Sequence, residues 1–200
     1  MIKIQKASIF NVAKLAKMIG RQWDLGKKAT GKSGTCDYLY AFEIIMRTNE
    51  FIKIRENGKT VGFAGVEIYG SRRAPIQRFI SKIMFNIIVA IQPRKIRKLI
   101  KRYYAAYDYL PKKFEGQFDS DETIIIISQG ARRKGFGNAL FNKLCDISKK
   151  HNARNLRIDT DDSCGVDFYI KNGCREIFRK KSTNKTCDPT KNFYTFLKEL

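Results

Sequence analysis

The sequence has little of what builds a disulfide framework or a metal centre. It contains one histidine and no Cys-x-x-Cys pair. Its five cysteines are scattered along the chain: Cys36, Cys145, Cys164, Cys174 and Cys187. An odd number of unclustered cysteines argues against a disulfide-rich secreted protein and against a zinc site. We therefore predict a protein of a reducing compartment that binds no metal.

Long hydrophobic runs are also missing. The most apolar window, residues 83–91, is much shorter than the roughly 20 residues that a membrane-spanning helix needs. Residues 1–10 lack the apolar centre of a signal peptide. These absences predict a cytoplasmic protein. With 43% hydrophobic residues, a chain of 200 residues can bury one ordinary core, so we expect a single domain over residues 1–200.

Acidic residues are scarce as well. There are 19 Asp and Glu against 40 Lys and Arg, which leaves a formal net charge of +21. Such a chain attracts polyanions, anionic membranes or phosphorylated ligands. About half of the excess lies in residues 71–113, which contain twelve Lys or Arg and one acid, Asp108.

The hydrophobic periodicity predicts a mixed α/β fold. Alternating or continuous apolar stretches predict strands, and apolar residues at helical spacing predict helices. An Asn57-Gly58 pair predicts a tight hairpin turn. The predicted strands are "IKIQKA" at the start, two around that turn, and 122–128, 155–160, 174–181 and 192–200. The predicted helices are 8–22, 37–48, a pair within 71–113, 135–151 and 165–172.

Two glycine-containing stretches compete as phosphate sites. Residues 26–33, "GKKATGKS", match the P-loop pattern, but that loop must follow a strand, and here a predicted helix precedes it. We interpret this match as accidental. The second stretch, "ARRKGFGNAL", joins the apolar strand at 122–128 to a predicted helix. Glycines allow close approach of a ligand to the backbone, and the first amides of a helix attract anions. This stretch is therefore the predicted phosphate site.

The same stretch resembles the motif of the GNAT superfamily of acyl-CoA N-acyltransferases. That motif, (Gln/Arg)-x-x-Gly-x-(Gly/Ala), is matched by Arg132, Gly135 and Gly137. A second block of the family, Asn-x-x-Ala-x-x-Phe-Tyr-x-x-x-Gly-Phe, is matched in part. Its Phe168, Tyr169 and Gly173 agree, whereas Asp162, Gly165 and Cys174 replace Asn, Ala and Phe. The predicted order of strands and helices agrees with the family outside residues 71–113.

The resemblance implies a fold, a reaction and a coenzyme. The fold would be a mixed, largely antiparallel sheet of about seven strands flanked by helices. In this chain a helical insertion, residues 71–113, would lie between strands 3 and 4. The protein would transfer the acetyl group of acetyl-CoA to a primary amine by direct transfer in a ternary complex, with no metal. The coenzyme would contact Ile127, Arg132, Arg133, Lys134, Gly135, Phe136, Gly137, Asn138 and Asp162. The acceptor amine and the oligomeric state stay open, a homodimer included.

Catalysis would need a proton donor for the departing thiolate and a base for the amine. Tyr169 stands at the position of the family's general acid. Asp121 and Glu122 open the fourth strand, where some members of the family carry a carboxylate base. Because successive residues of a strand face opposite sides, at most one of the two can point into the cleft. Deprotonation through water alone is the alternative.

The basic insertion at residues 71–113 has two interpretations. Ile76, Phe79, Ile80, Ile83, Ile87 and Ile91 form an apolar stripe in its first helix, and a second helix after Pro93 repeats the pattern. We expect a helical hairpin that covers the acceptor side of the cleft, with its stripes buried. Alternatively, the helices bind an anionic membrane. The competing hypothesis for the whole chain is a noncatalytic GNAT-like protein that binds a polyanion, either RNA or an anionic membrane. Tyr103, Tyr104, Tyr107 and Tyr109 could stack on bases.

Overall fold

Seven strands form one sheet in the computed structural model, which describes residues 1–23, 35–71, 74–90, 92–94, 97–98, 114, 116–181 and 192–200. The strands are β1 (Ile2–Lys6), β2 (Glu50–Glu56), β3 (Lys59–Ile68), β4 (Ser120–Ile127), β5 (Asn155–Asp161), β6 (Arg175–Lys181) and β7 (Asn192–Glu199). Their spatial order is β1-β2-β3-β4-β5-β7-β6. Only β4 and β5 pair in parallel, and all the other neighbours are antiparallel. The predicted mixed, largely antiparallel sheet is confirmed.

Helices cover both faces of this sheet. They are α1 (Val12–Trp23), α2 (Thr35–Arg47), α3 (Ala74–Ala90), α4 (Phe136–Lys150) and α5 (Val166–Lys171). One apolar core joins the sheet to α4 and α5, and a second core joins its other face to α1 and α2. The helix α3 lies between β3 and β4 in the chain and packs on α2. The coenzyme motif and α3 therefore lie on opposite faces of the sheet.

The β2–β3 hairpin turns where the sequence predicts. Asn57 and Gly58 occupy the turn with φ of 49° and 77°. A two-residue turn with positive φ at both positions matches the right-handed twist of the strands that it joins, and Asn-Gly is the pair that adopts it most readily.

A β-bulge in β4 decides which side chains reach each face of the sheet. Val66 of β3 pairs with Glu122, and its neighbour Gly65 pairs with Ile124, so Thr123 is the extra residue. A bulge shifts the alternation of side chains along a strand by one residue. Without it, Glu122 would share the α1–α2 face with Ile124. With it, Glu122 points to the α4–α5 face.

The bulge is held by contacts that only a glycine permits. The Thr123 hydroxyl lies 2.7 Å from the hydroxyl of Thr48, which in turn donates to the carbonyl of Ile44 at 2.6 Å. A Cβ on Gly65 would lie 2.5 Å from the Thr123 hydroxyl oxygen and 2.9 Å from the Thr48 methyl group. The bare backbone at Gly65 is therefore required for this pair of threonines.

The insertion differs from its prediction where the structure describes it. The first helix forms as α3, but Ile76, Phe79, Ile80, Ile83 and Ile87 are exposed. The prediction that this apolar stripe is buried is therefore wrong for these five residues. Most of the second predicted helix, including its four tyrosines, lies outside the described residues, as does the P-loop-like stretch at 26–33.

We expect Gly65→Ala to destabilise the protein by about 1–3 kcal/mol, because the new methyl group overpacks the threonine pair. Gly70→Ala is the matched control, since nothing lies within 4 Å of the Cβ that it would add. Urea unfolding of both variants measures the difference. Equal stability of the two variants would show that the bulge tolerates a side chain at position 65.

Candidate functional site

The cleft forms because β4 and β5 part. The two strands pair only at Ser120–Leu156 and Asp121–Arg157, and then diverge toward their carboxyl ends. The space between them opens into a cavity of about 560 Å³. Its walls come from the ends of α1 and β4, the loop before α4 and the start of α5. The lining residues are Gln22, Trp23, Ile125, Ile126, Ile127, Ala131, Arg132, Arg133, Gly135, Phe136, Gly137, Asn138, Ser163, Cys164, Gly165, Phe168 and Tyr169.

The N-terminus of α4 supplies the anion-binding part of this cleft. Gly135 precedes the helix with φ of 79°, and its carbonyl accepts the first helical bond, from the amide of Ala139. The amides of Phe136, Gly137 and Asn138 therefore come before any intrahelical partner and remain free to donate. No atom lies within 4 Å of a Cβ built on Gly135. Backbone donors and open space thus coincide at the start of the helix, as an anion requires.

The three cations beside this helix start have different environments. Arg132 donates through its Nε to the carbonyl of Ile127 at 3.3 Å and through Nη2 to the side chain of Gln22. Lys134 forms an ion pair with Glu56 at 3.0 Å. Within the described part of the chain, the exposed Arg133 has neither a hydrogen bond nor an ion pair through its side chain. Arg133 is therefore the cation of this loop best placed to receive a phosphate.

Tyr169 and Glu122 meet at the base of the cleft. The Tyr169 hydroxyl donates to Oε1 of Glu122 at 2.7 Å. Burial raises the pKa of Glu122 to about 8, although the hydrogen bond from Tyr169 acts to lower it. Burial, followed by the charge of Glu122, raises the pKa of Tyr169 well above its ordinary value. Near neutral pH this pair therefore favours a neutral carboxyl beside a neutral phenol.

The second carboxylate oxygen of Glu122 gives another reason for the side chain to be protonated. Its Oε2 is buried and finds no hydrogen-bond partner among the described residues. An unpaired buried carboxylate oxygen is costly when charged, and protonation relieves that cost. The environment of Glu122 thus favours a carboxyl that carries a proton.

Asp121 points to the other face of the sheet. Its carboxylate lies 4.0 Å from Arg47 of α2, which also lies 3.7 Å from Glu67. Burial raises the pKa of Asp121, whereas Arg47 and Arg157 act to lower it. The structure thus brings Glu122, and not Asp121, to Tyr169.

Asp162 also lies apart from the cleft lining. Its carboxylate accepts hydrogen bonds from the Tyr194 hydroxyl at 2.5 Å and from the Asn192 amide at 2.6 Å. Although partial burial acts to raise its pKa, these bonds lower it below the ordinary value of Asp. The carboxylate ties the end of β5 to β7. Of the predicted coenzyme contacts, Asp162 and Lys134 are absent from the lining, and the other seven line the cavity.

Gln22, Trp23 and Cys164 are among the lining residues that were not anticipated from the sequence. Gln22 and Trp23 reach the cleft from the end of α1, and the indole N–H of Trp23 donates to the Cys164 sulfur at 3.3 Å. This bond ties α1 to the loop before α5. Trp23 is the chain's single tryptophan and adjoins a polar stretch, which was the one available signal.

Among the described residues, no group of three or more His, Cys, Asp or Glu could hold a metal ion. In the same ranges, no helix has the length and apolar character needed to cross a membrane.

Comparison with known proteins places this geometry in a known fold. No family model matches the chain, and no curated protein matches its sequence. Among solved structures, mosquito arylalkylamine N-acetyltransferase like 5b is 14% identical with a TM-score of 0.64, covering 100% of both chains. The ribosomal-protein-S18-alanine N-acetyltransferase of Escherichia coli is 14% identical with a TM-score of 0.58, covering 98% of this chain and 92% of that one.

A third structure contains a coenzyme. It is yncA of Salmonella typhimurium, solved with its cofactor acetyl-CoA, and it is 9% identical with a TM-score of 0.57 over 99% of this chain and 93% of its own. At these identities the likeness establishes the fold. The chain has the GNAT fold, as the resemblance in its sequence predicts.

The raised pKa of Glu122 makes stability depend on pH. Its ordinary value is 4.5 and its value in the fold is about 8, so between these limits the folded form binds more protons than the unfolded form. The free energy of unfolding should therefore fall as pH rises through this window, by on the order of a few kcal/mol. Glu122→Gln should flatten this part of the profile, because the amide stays neutral and still accepts from Tyr169.

Urea unfolding at pH 5, 7 and 9 measures this effect. Glu199→Gln makes the same change at an exposed position of β7 and should leave the wild-type profile unchanged. Parallel profiles for the wild type and Glu122→Gln would contradict a proton held at Glu122.

Proposed function

We propose that the protein transfers the acetyl group of acetyl-CoA to a primary amine, by direct transfer within a ternary complex. The observation that supports this most is that the free amides of α4 and Tyr169, which is hydrogen-bonded to Glu122, line one cleft between parted strands. A phosphate-bearing acyl donor bound along that cleft would extend from the helix start to the tyrosine. The GNAT fold agrees with this reaction, and the structure solved with acetyl-CoA supports the choice of coenzyme.

The pyrophosphate of the coenzyme would bind at the start of α4. The amides of Phe136, Gly137 and Asn138 would donate to its oxygens, aided by a helix dipole equivalent to about half a charge. Arg133 would add attraction for the same phosphates or for the ribose phosphate. Close approach requires a backbone without a side chain at Gly135, where the space is open.

The thioester would lie along the free edge of β4. The amide of Ser128 donates to Val61 of β3, so alternation along an antiparallel strand turns the amide of Ile127 to the opposite side. On that side β5 has moved away, and the amide faces the cleft. We assign this amide to the carbonyl oxygen of the acetyl group, whose negative charge grows as the amine attacks.

Tyr169 and Glu122 would manage the protons. The amine nitrogen forms a bond to the acetyl carbon, the carbon–sulfur bond breaks, and the sulfur takes the phenolic proton of Tyr169. Glu122, neutral near pH 7, would then return a proton to the phenolate oxygen across the 2.7 Å bond. The nitrogen gives up one proton to water, and Glu122 regains one from that water, either directly or by way of the solvent. One proton leaves nitrogen and one reaches sulfur, so the balance is kept.

The acceptor is proposed only as a class. The similar structures are named for arylalkylamines and for the alanine of a ribosomal protein, and a further one is a polyamine N-acetyltransferase of Drosophila melanogaster. A primary amine is the group that these acceptors share. A panel of arylalkylamines, polyamines and peptides with N-terminal alanine therefore tests the proposal. A cytoplasmic location agrees with the free cysteines Cys36, Cys145 and Cys174.

We expect Gly135→Asp to weaken coenzyme A binding at least about tenfold, because the new carboxylate faces the pyrophosphate. Gly116→Asp is the matched control. Gly116 has nearly the same φ as Gly135, 76° against 79°, and its surroundings are equally open. It precedes the N-terminal end of β4, whereas Gly135 follows the C-terminal end of that strand. Titration calorimetry with coenzyme A measures both affinities. Full affinity in Gly135→Asp would remove the helix start from the binding site.

We expect Tyr169→Phe to lower kcat by about 10²–10⁴-fold with little change in the affinity for acetyl-CoA, since only the proton donor is lost. Tyr194→Phe is the control, because its hydroxyl bonds Asp162 away from the cleft. Thiol release with the best amine of the panel measures kcat, and calorimetry measures affinity. Wild-type turnover in Tyr169→Phe would exclude this residue as the acid.

A further inference from the structure

The helix α3 presents a continuous apolar face to solvent. At about 100° per residue, its exposed apolar side chains fall on one side of the helix. They are Ile76 (63% exposed), Phe79 (66%), Ile80 (41%), Ile83 (42%) and Ile87 (52%). Scattered exposed apolar residues are ordinary, but an aligned group of this size indicates a contact surface. We call these five residues the α3 stripe.

The opposite side of α3 attaches the helix to the protein. Ser81 and Val89 are buried, Phe85 between them is half-buried, and α3 packs on α2. With the same 100° spacing, these three residues lie about 180° from the centre of the α3 stripe. The inward face of the helix is therefore already occupied, and the α3 stripe is left for something outside the described part of the chain.

Exposed cations lie on one flank of α3 and beyond its C-terminal end. Lys82 is exposed on the flank of the helix. Arg94 and Lys98 are exposed beyond its C-terminal end, where Arg97 donates to the carbonyl of Ala90 at 3.4 Å. The sequence from 71 to 113 carries twelve basic residues against one acid. The occupant of the α3 stripe must therefore offer both apolar volume and negative charge.

An anionic lipid surface meets both requirements. A second copy of this chain would bring another +21 charge against the same cations. Single-stranded RNA supplies the charge, but it binds through aromatic platforms, and the α3 stripe contains one aromatic side chain, Phe79. An interfacial helix buries its apolar face just below the headgroups while the adjacent Lys and Arg bind anionic lipids. The α3 stripe and its cations have this arrangement.

We propose that α3 is a membrane-surface anchor: the α3 stripe enters the outer part of an anionic bilayer, and the adjacent cations bind its headgroups. This attachment is peripheral, and it does not depend on the acetyltransferase activity. The α3 stripe supplies the apolar contribution to binding and the cations supply the ionic one. The two contributions can therefore be tested separately.

Flotation of the full chain with vesicles tests the proposal. We expect binding to vesicles of phosphatidylcholine with phosphatidylglycerol, and binding at least about tenfold weaker to phosphatidylcholine alone, since the anionic headgroups attract the cations. The double change Ile83→Ser and Ile87→Ser should weaken binding to the anionic vesicles at least about tenfold, because it removes inserted apolar surface. High salt should weaken it in the wild type as well.

A matched control carries two serines at exposed apolar positions outside α3, Ile2→Ser and Phe10→Ser, where 58% and 92% of the residue is exposed. It should bind vesicles as the wild type does. Thermal unfolding checks that each variant is folded. If the double variant in α3 is not folded, Phe79→Ser removes one side chain that is 66% exposed and should still weaken binding severalfold.

Three outcomes would overturn the proposal. The first is an absence of flotation with anionic vesicles at low salt. The second is flotation that persists undiminished when the α3 stripe is changed to serine, because the attraction would then be purely ionic. The third is a dimer in sedimentation velocity that the serine changes convert to a monomer, because the α3 stripe would then be covered by a second copy.

Discussion

The parting of β4 from β5 is the constraint on which the proposed site depends. Two parallel pairs, Ser120–Leu156 and Asp121–Arg157, hold the strands together at one end, and beyond them β4 has a free edge. At that edge the amide of Ile127 is available, and Tyr169 of α5 lines the gap between the two strands. The loop after β4 leads directly into α4, so the same separation places the helix start at the mouth of the gap. The free edge of β4, the position of the helix start and the access of Tyr169 to the cleft all follow from the divergence of β4 and β5.

Asp121 and Glu122 face opposite sides of the sheet because they are adjacent in β4, and the bulge at Thr123 decides which of them faces which side. Asp121 lies among arginines on the α2 face, where burial raises its pKa to about 6 and Arg47 and Arg157 limit that rise. Glu122 lies against Tyr169 and apolar side chains, where burial favours its protonated form. Two carboxylates of similar intrinsic acidity are therefore suited to different tasks, one to ion pairing and the other to holding a proton. The environment, and not the residue type, separates them.

The sequence predicts the elements of this fold well, because each is marked by local chemistry. Asn57-Gly58 specifies a turn, four consecutive isoleucines specify a strand buried on both faces, and Gly135 marks the helix start. The orientation of Glu122 could not be predicted, since it depends on a bulge held by Thr48, a residue distant in sequence. Gln22 reaches the cleft only through the packing of α1. The exposure of the α3 stripe was likewise unpredictable, because periodicity identifies an apolar face but not what covers it.

The two proposed functions use opposite faces of the sheet, and this separation makes them compatible. The helix α4, with its anion site, covers one face, whereas α3 packs on α2 over the other. A bilayer that binds the α3 stripe would therefore leave the start of α4 open to solvent, where a charged, water-soluble coenzyme has to enter. A neutral carboxyl at Glu122 is maintained by burial, independently of the cations that would attract the lipid surface.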